Sequence, residues 1–435
     1  DVFKPNVKYI GNMHGDEVVG RELLMRYIER LLTDTSADVV EFVANTNIFI
    51  LPTMNPDGFA LGTRENSLRV DLNRNFPDQY RSSGGAEQTE TRLVKEFLAS
   101  RQWTLSANFH GGDLVANYPW DGRPDNQNFV ENKSPDDDVF RTISTIYART
   151  NPGMLTNRQF QNGITNGAKW YVLYGGMQDY NYIQHGCMEI TLEVSMNKWP
   201  VGTSLPNFWN DNKDSMFNYH RLVHNGVRGI VTHANSNQPL EGVQVTVSGR
   251  EKLVVKTRKE NGAYFRILPA GTWTLTFSAP GFDSTSIQVT VPSWTPSRRI
   301  SESYSRVDVS LRPSPPSPPV APTAPVTPPP PQLPTTPSII QIPSSPLTSN
   351  PSDSSPPSAV TTPSGKMRVP LITSSEIWVV PIFAVVGSFA AVALLVAAMV
   401  VAQYFNISLT GRPQSTSLNA VPSVSHQLGL ETVDD

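Results

Sequence analysis

The stretch Val7-Lys-Tyr-Ile-Gly-Asn-Met-His-Gly-Asp-Glu17 decides how the chain is read. Its apolar start predicts a buried strand at 7–10. From about 17 to 32, apolar residues recur near helical spacing with charges between them, which predicts a helix. A strand that feeds a helix through a short polar loop is the building unit of an α/β domain. His14 stands at the strand's end and Glu17 in the expected first turn of the helix, so both side chains can address one spot outside the sheet. Imidazole nitrogen and carboxylate oxygen are ligands that zinc accepts at about 2.0–2.2 Å. Alone, the pair is equally compatible with a loop histidine beside an acid that the helix dipole favours.

The chain has 435 residues, enough for two or three units. With Lys+Arg 35 against Asp+Glu 38 its formal net charge is -3, so no basic field argues for nucleic acid, and none is expected as a partner. Cys187 is the 1 cysteine, which excludes an intrachain disulfide without fixing the compartment. The chain opens on a buried-looking strand with no initiator Met or signal peptide ahead of it, so an N-terminally incomplete sequence is expected.

Outward from the opening stretch, residues 1–225 alternate strand-like runs (7–10, 46–51, 103–109, 188–194) with helical patterns (17–32, 87–100, 135–150 and near 214–223). Polar loops are expected at 52–86, 111–134 and 151–180, and loops longer than about 12–15 residues inside a domain are usually functional. The first holds Arg64-Glu-Asn-Ser67 and Asp71-Leu-Asn-Arg-Asn-Phe-Pro-Asp78. Arg64, Arg74 and the Asn73 amide can hold a free carboxylate in bidentate fashion. Alternatively the arginines pair with Asp71, Asp78 or Glu65 and only tie the loop down.

His110 ends the strand at 103–109, ahead of two glycines, and is the natural third member of a set with His14 and Glu17. Two His and one Glu with an open position is a catalytic zinc arrangement. Tyr171, flanked by glycines, either swings on a mobile loop or packs as an ordinary aromatic. In Met188-Glu-Ile-Thr-Leu-Glu193-Val, the two acids fall on one strand face. A carboxylate in such a strand needs a partner or a job, and Glu193 is the better placed to reach a site.

Taken together, His14-Gly-Asp-Glu17, Arg64-Glu-Asn-Ser67, Asp71 to Asp78, Ser106-Ala-Asn-Phe-His-Gly-Gly112, Gly175-Gly-Met-Gln-Asp-Tyr-Asn-Tyr182 and Glu189 to Glu193 carry a resemblance. Residues about 5 to 225 resemble the zinc metallocarboxypeptidases of the regulatory branch, the group that holds carboxypeptidases D, E, M and N. The resemblance implies a mixed-sheet α/β catalytic domain, one Zn2+ on His14, Glu17 and His110, and Asp71 orienting a ligand histidine. Glu193 would be the general base toward water, and Arg64 would stabilise the developing oxyanion. Asn73 and Arg74 would clamp the substrate's terminal carboxylate under Tyr171. Asp121, with Gln178 beside it, resembles the base of a pocket for C-terminal Arg or Lys; by composition alone, Trp120-Asp-Gly-Arg-Pro also fits an Asx turn. Peptides or proteins ending in Arg or Lys are the expected substrates. A catalytically silent binding protein on the same scaffold would be signalled by loss of Glu193 or a ligand, and a basic residue near 121 would signal another substrate. Glu193 and the three ligands are present, and position 121 itself is acidic. Relatives begin with further strands and a helix that are missing here.

Residues 226–312 alternate apolar and polar positions between turns such as Asn261-Gly262 and Pro280-Gly281, the pattern of a small β-sandwich. They resemble the transthyretin-like module of the same branch, with a supporting role. Residues 313–376 read as a disordered Pro/Ser/Thr-rich stalk, 377–402 as one apolar transmembrane helix and 403–435 as a cytoplasmic tail. The catalytic domain is then expected outside the cell or in the secretory lumen, with a glycosylation sequon at Asn132-Lys-Ser134.

Overall fold

The structure, a computed structural model, describes residues 3–82, 85–295 and 298–315. The expected stalk beyond residue 315, the span and the tail lie outside the described residues; Pro313 and Ser314 still belong to the sandwich, Pro313 bridging Phe282 and Ser314 N–H donating to Gly281 O at 2.9 Å. Among the described residues, no helix is long and apolar enough to cross a membrane.

The first part is built from β1 (Asn6–Gly11), α1 (Val19–Thr33), α2 (Ala37–Asn45), β2 (Asn47–Leu51), α3 (Pro56–Leu61), α4 (Thr89–Ala99), β3 (Leu105–His110), β4 (Asp113–Tyr118), α5 (Asp137–Arg149), α6 (Pro152–Thr156), β5 (Ile164–Asn166), α7 (Gly167–Trp170), α8 (Met177–His185), β6 (Met188–Ser195) and α9 (Leu205–Arg221). Its six strands form one mixed sheet in the order β2-β1-β3-β6-β4-β5. Every pair is parallel except β4 with β6.

The strand period of two gives the sheet unlike faces. Val7, Tyr9, Leu105, Ala107, Phe109, Met188, Ile190, Leu192 and Val194 join one core with residues of α1, α5 and α9. The alternate residues of the central strands are polar and equally buried: Lys8, Ser106, Asn108, His110, Glu189, Thr191 and Glu193. Three interior ones are joined through Asn181 of α8: Ser106 and Asn181 donate to Glu189, and Lys8 donates to Asn181 at 3.0 Å. At the carboxyl ends of the strands, the parallel register sets His110 beside Glu193. That end of the polar column is the site.

Several expectations differ from what is observed. The expected loop at 111–134 contains β4, and that at 151–180 contains α6, β5, α7 and the start of α8. Polar residues buried inside these elements (Asp113, Asn117, Gln178, Asp179 and Asn181) hide their periodicity. The last helix begins at Leu205, not near 214, with a proline in its first turn and a run of Asn and Asp that masks the apolar face. The first helix begins at Val19, so Glu17 precedes it instead of lying in its first turn.

The second part comprises β7 (Gly226–His233), β8 (Gln244–Val247), β9 (Val255–Lys256), β10 (Ala263–Arg266), β11 (Gly271–Ser278), β12 (Thr285–Val291), β13 (Tyr304–Arg306) and β14 (Val309–Leu311). They make two four-stranded sheets, β12-β11-β8-β9 and β10-β7-β13 with β14 also on β7. Val227, Val231, Val245, Tyr264, Leu275 and Phe277 fill the space between them. The sandwich docks onto the first part through Asp136, which is fully buried. Its carboxylate accepts from Arg250 at 2.9 Å, Arg266 at 2.7 Å and Tyr182 at 2.7 Å.

Candidate functional site

The loop after β1 is shaped by Asn12 and Gly15. Asn12 sits at φ 54 and its amide donates to the carbonyls of His14, Gly15 and Glu17, at 2.9, 3.1 and 3.3 Å. At Gly15 a Cβ would come within 2.0 Å of the Gly58 backbone, so only glycine lets α3 approach this closely. The loop thereby presents His14 and Glu17 toward the end of β3. His14 Nδ1 lies 3.0 Å from His110 Nδ1 and 3.0 Å from Glu17 Oε1, and His110 Nδ1 lies 3.0 Å from Glu17 Oε2.

Three donor atoms thus converge from three buried residues. Two imidazole nitrogens facing each other at this distance must share a proton or a cation. Zinc bonds of about 2.0–2.2 Å at a tetrahedral angle would separate such donors by about 3.4 Å. The set therefore fits zinc after opening by a few tenths of an ångström. His14 and Glu17 are also oriented from behind, whereas His110 Nε2 has no hydrogen-bond partner among the described residues. His14 Nε2 meets Asp71 Oδ1 at 3.0 Å, and Gly111 N–H donates to Glu17 Oε2 at 3.0 Å. Burial depresses the His14 and His110 basicities, but at His14 the Glu17 charge and the Asp71 hydrogen bond outweigh it and raise the pKa.

Asp71 serves two partners, since its Oδ2 accepts from Arg64 Nε at 3.1 Å and Nη2 at 3.0 Å. Arg64 reaches onward to Glu17 Oε1 at 3.1 Å. Arg74 comes only within 3.8 Å of Asp71 and stays about one-third exposed. Asn73 accepts from Met177 N–H at 3.0 Å, which leaves its amide hydrogens for a ligand. Arg64 is thus paired internally, as the second alternative for this loop expects, while Arg64, Asn73 and Arg74 all line the pocket.

The pocket has a volume of about 180 Å³ and is lined by His14, Glu17, His110, Arg64, Asn73, Arg74, Tyr171, Asp121 and Glu193 among others. Asp71 and Gln178 are not in its lining; Asp71 stands behind His14. Tyr171 ends α7 and is 38% exposed. Glu193 is buried, and its Oε2 has no hydrogen-bond partner among the described residues. Burial and then the Glu17 charge raise its pKa well above the carboxylate range, opposed by Lys198 and Arg64.

Asp121 is 3% exposed and forms no ion pair among the described residues. The Asn117 amide donates to its Oδ1 at 3.1 Å. A Cβ on Gly167 would fall 1.9 Å from Oδ1, so this glycine makes room for the carboxylate. Burial pushes the Asp121 carboxyl up to about 7, against the pull of the Asn117 amide and Arg74. Behind it, Asp179 accepts the Asp121 N–H at 3.2 and 3.0 Å and the Gly122 N–H at 3.4 Å. Asp179 also is buried and raised, by burial and by Asp121's charge. Two carboxyl groups therefore back one end of the pocket.

The Asn132 sequon turns inward. Its amide donates to Gly122 O at 2.7 Å and Tyr80 Oη at 3.1 Å, so both hydrogens are spent within the fold. A glycan there needs one of those hydrogens, and the geometry favours Asn132 as a tie holding the turn of Asp121. Three contributors had no sequence signal of their own: Asn12, Asp179 and the pocket-lining Lys198.

Residues 2–215 match the family described as zinc carboxypeptidase, and residues 226–300 match the carboxypeptidase regulatory-like domain. Carboxypeptidase M of Mus musculus is 42% identical over 307 residues, covering 66% of this chain and 69% of that protein. Carboxypeptidase E of Caenorhabditis elegans is 39% identical over 364 residues, 72% of this chain and 76% of that protein. Carboxypeptidase D of Homo sapiens is 42% identical over 311 residues, 67% of this chain but 22% of that protein's length.

Proposed function

Because the chain belongs to the zinc carboxypeptidase family, in its regulatory branch, we propose that it removes a single C-terminal Arg or Lys from peptides or proteins. The chain is a metallocarboxypeptidase; the basic-residue specificity and the residue roles are our reading. One observation carries the specificity: a buried carboxylate, Asp121, without an ion pair among the described residues, in the same pocket as Asn73, Arg74 and the His14–Glu17–His110 triad.

His14 Nδ1, Glu17 and His110 Nδ1 would hold one zinc ion. Bound there, zinc supplies Lewis acidity, lowering the pKa of water and polarising a carbonyl. Asn73 and Arg74 receive the substrate's terminal carboxylate, a planar anion suited to a guanidinium fork. That clamp sets the last peptide bond beside the triad and sends the last side chain toward Asp121. Glu193 accepts the proton of the attacking water and delivers it to the leaving amine, as general base and then general acid. Arg64, held by Asp71, meets the charge that grows on the carbonyl oxygen. Tyr171 covers the bound residue and limits water access.

We further place residues 377–402 as a membrane anchor and the peptidase outside the cell or in the secretory lumen, from the uncharged apolar run and the Pro/Ser/Thr segment ahead of it. No observation favours a silent binding protein, since each candidate catalytic position is filled by the residue the chemistry requires.

The specificity is tested by kcat/KM on two peptides that differ only in ending with Arg or Ala. Asp121→Ala should lower the Arg value by on the order of 30-fold or more and the Ala value little, as expected for removing one partner of a buried charge pair. Equal losses on both peptides would sink the assignment.

A further inference from the structure

Lys198 lines the pocket, yet the mechanism above gives it no task. Its Nζ lies 2.9 Å from Glu17 Oε1 and 3.6 Å from Asp16 Oδ2, and its side chain is about one-third exposed. The backbone on either side is fixed. Val18 N–H donates to Lys198 O at 3.0 Å, and the Trp199 ring stacks on Phe59 at 5.6 Å and 14°. An anchored backbone aims a flexible side chain at one region.

That region is the Glu17 side of the pocket, with other neighbours than those of Asp121. Asn73 and Asp121 share a neighbour in Gly176, where a Cβ would sit 3.6 and 3.3 Å from their side chains. Lys198 instead neighbours Glu17 and Gly112, the latter without a side chain to obstruct it. A peptide with its terminal carboxylate on Asn73 and Arg74 and its last carbonyl at the triad would carry its preceding residue toward the Glu17 side of the pocket, where Lys198 lies. Resting on the reading above, we propose that Lys198 determines specificity for the penultimate residue and favours an acidic side chain there. The ammonium has three N–H donors against two carboxylates, Glu17 at 2.9 Å and Asp16 at 3.6 Å, which leaves a donor for a substrate carboxylate. The favoured substrate therefore ends in an acid followed by Arg or Lys.

Three peptides that all end in Arg, with Glu, Ala or Lys before it, provide the test. The unaltered protein should rank them Glu, Ala, Lys, with the extremes separated by about three- to tenfold in kcat/KM, as partly exposed charge pairs allow. Lys198→Met should flatten the ranking and Lys198→Glu should invert it, read as ratios of kcat/KM among the three peptides within each variant, so that a general loss through the Glu17 contact cancels. Cleavage of all three within twofold by the unaltered protein, or a wild-type ranking in Lys198→Glu, overturns the inference. Release of Arg from none of them overturns the exopeptidase reading and this one with it.

Discussion

The Asp71 carboxylate bridges His14 and Arg64, with Oδ1 at 3.0 Å from His14 Nε2 and Oδ2 at 3.0 Å from Arg64 Nη2. One side chain thus couples the orientation of a triad histidine to that of the guanidinium proposed to meet the reacting carbonyl. Its carboxyl is held far below the usual range: burial pushes upward, but the His14 hydrogen bond and the charges of His14, Arg64 and Arg74 prevail. Asp71→Asn should weaken zinc affinity by about 10–100-fold, the usual cost of losing such a partner. Competition with a fluorescent chelator reads this directly. An unchanged affinity would mean that His14 is oriented by other groups.

The pH dependence of specificity follows from Asp121. With its carboxyl raised to about 7 by burial, lowering the pH through that value protonates the group. A cationic substrate side chain binds the ionised form, so protons compete with it. For the Arg-ending peptide, kcat/KM should therefore fall by up to about tenfold per pH unit below about 7 and level off above. The Ala-ending peptide should lack this limb. Parallel profiles for the two peptides would contradict the assignment.

Asp179 offers a separate test of positioning. Both of its oxygens take backbone N–H groups of the Asp121 turn. In Asp179→Ala these donors lose their partner, at a cost of about 1–3 kcal/mol in the geometry of the turn. The expected signature is a raised KM for Arg-ending peptides with kcat nearly kept, and partial rescue in Asp179→Asn. Loss of kcat alone would place Asp179 in another role.

The boundary between the two parts should be sensitive to Asp136. Removing it leaves Arg266 buried without its carboxylate and takes one acceptor from Tyr182 and from Arg250, which keeps its two bonds to Asp138. Breaking a buried pair in this way costs about 3–5 kcal/mol. Asp136→Ala should lower the calorimetric melting temperature sharply while a folded fraction keeps its kcat. An unchanged melting temperature would show that the docking of the sandwich does not depend on Asp136 and rests on its other contacts, such as Arg250 with Asp138.

Much of this site is visible in the sequence because its residues sit at strand ends. His110 and Glu193 follow from strand periodicity: each continues the polar face of a buried strand, and the registered pairing of β3 with β6 sets them side by side. The strand reading also separates Glu193 from Glu189, which the fold occupies with Ser106, Asn181 and Lys8. β4 and α8 escaped because their buried positions are polar, so hydrophobic periodicity carries no signal there. Lys198 escaped for another reason: it follows β6 in an irregular turn, and only the docking of that turn on Val18 and Phe59 brings it to the pocket. The Asn132 sequon shows the converse, a motif whose side chain the fold has already engaged.

The central claim joins a metal held by His14, Glu17 and His110 to a proton-transferring Glu193. It is tested most directly by release of Arg from a short Arg-ending peptide by the purified protein, with and without chelator, alongside Glu193→Gln. The account predicts release that chelation stops and zinc restores, and a loss of at least about 10²-fold in kcat in Glu193→Gln, whose zinc content and melting temperature match the unaltered protein. Undiminished release in the presence of chelator, or a fully active Glu193→Gln, would contradict it.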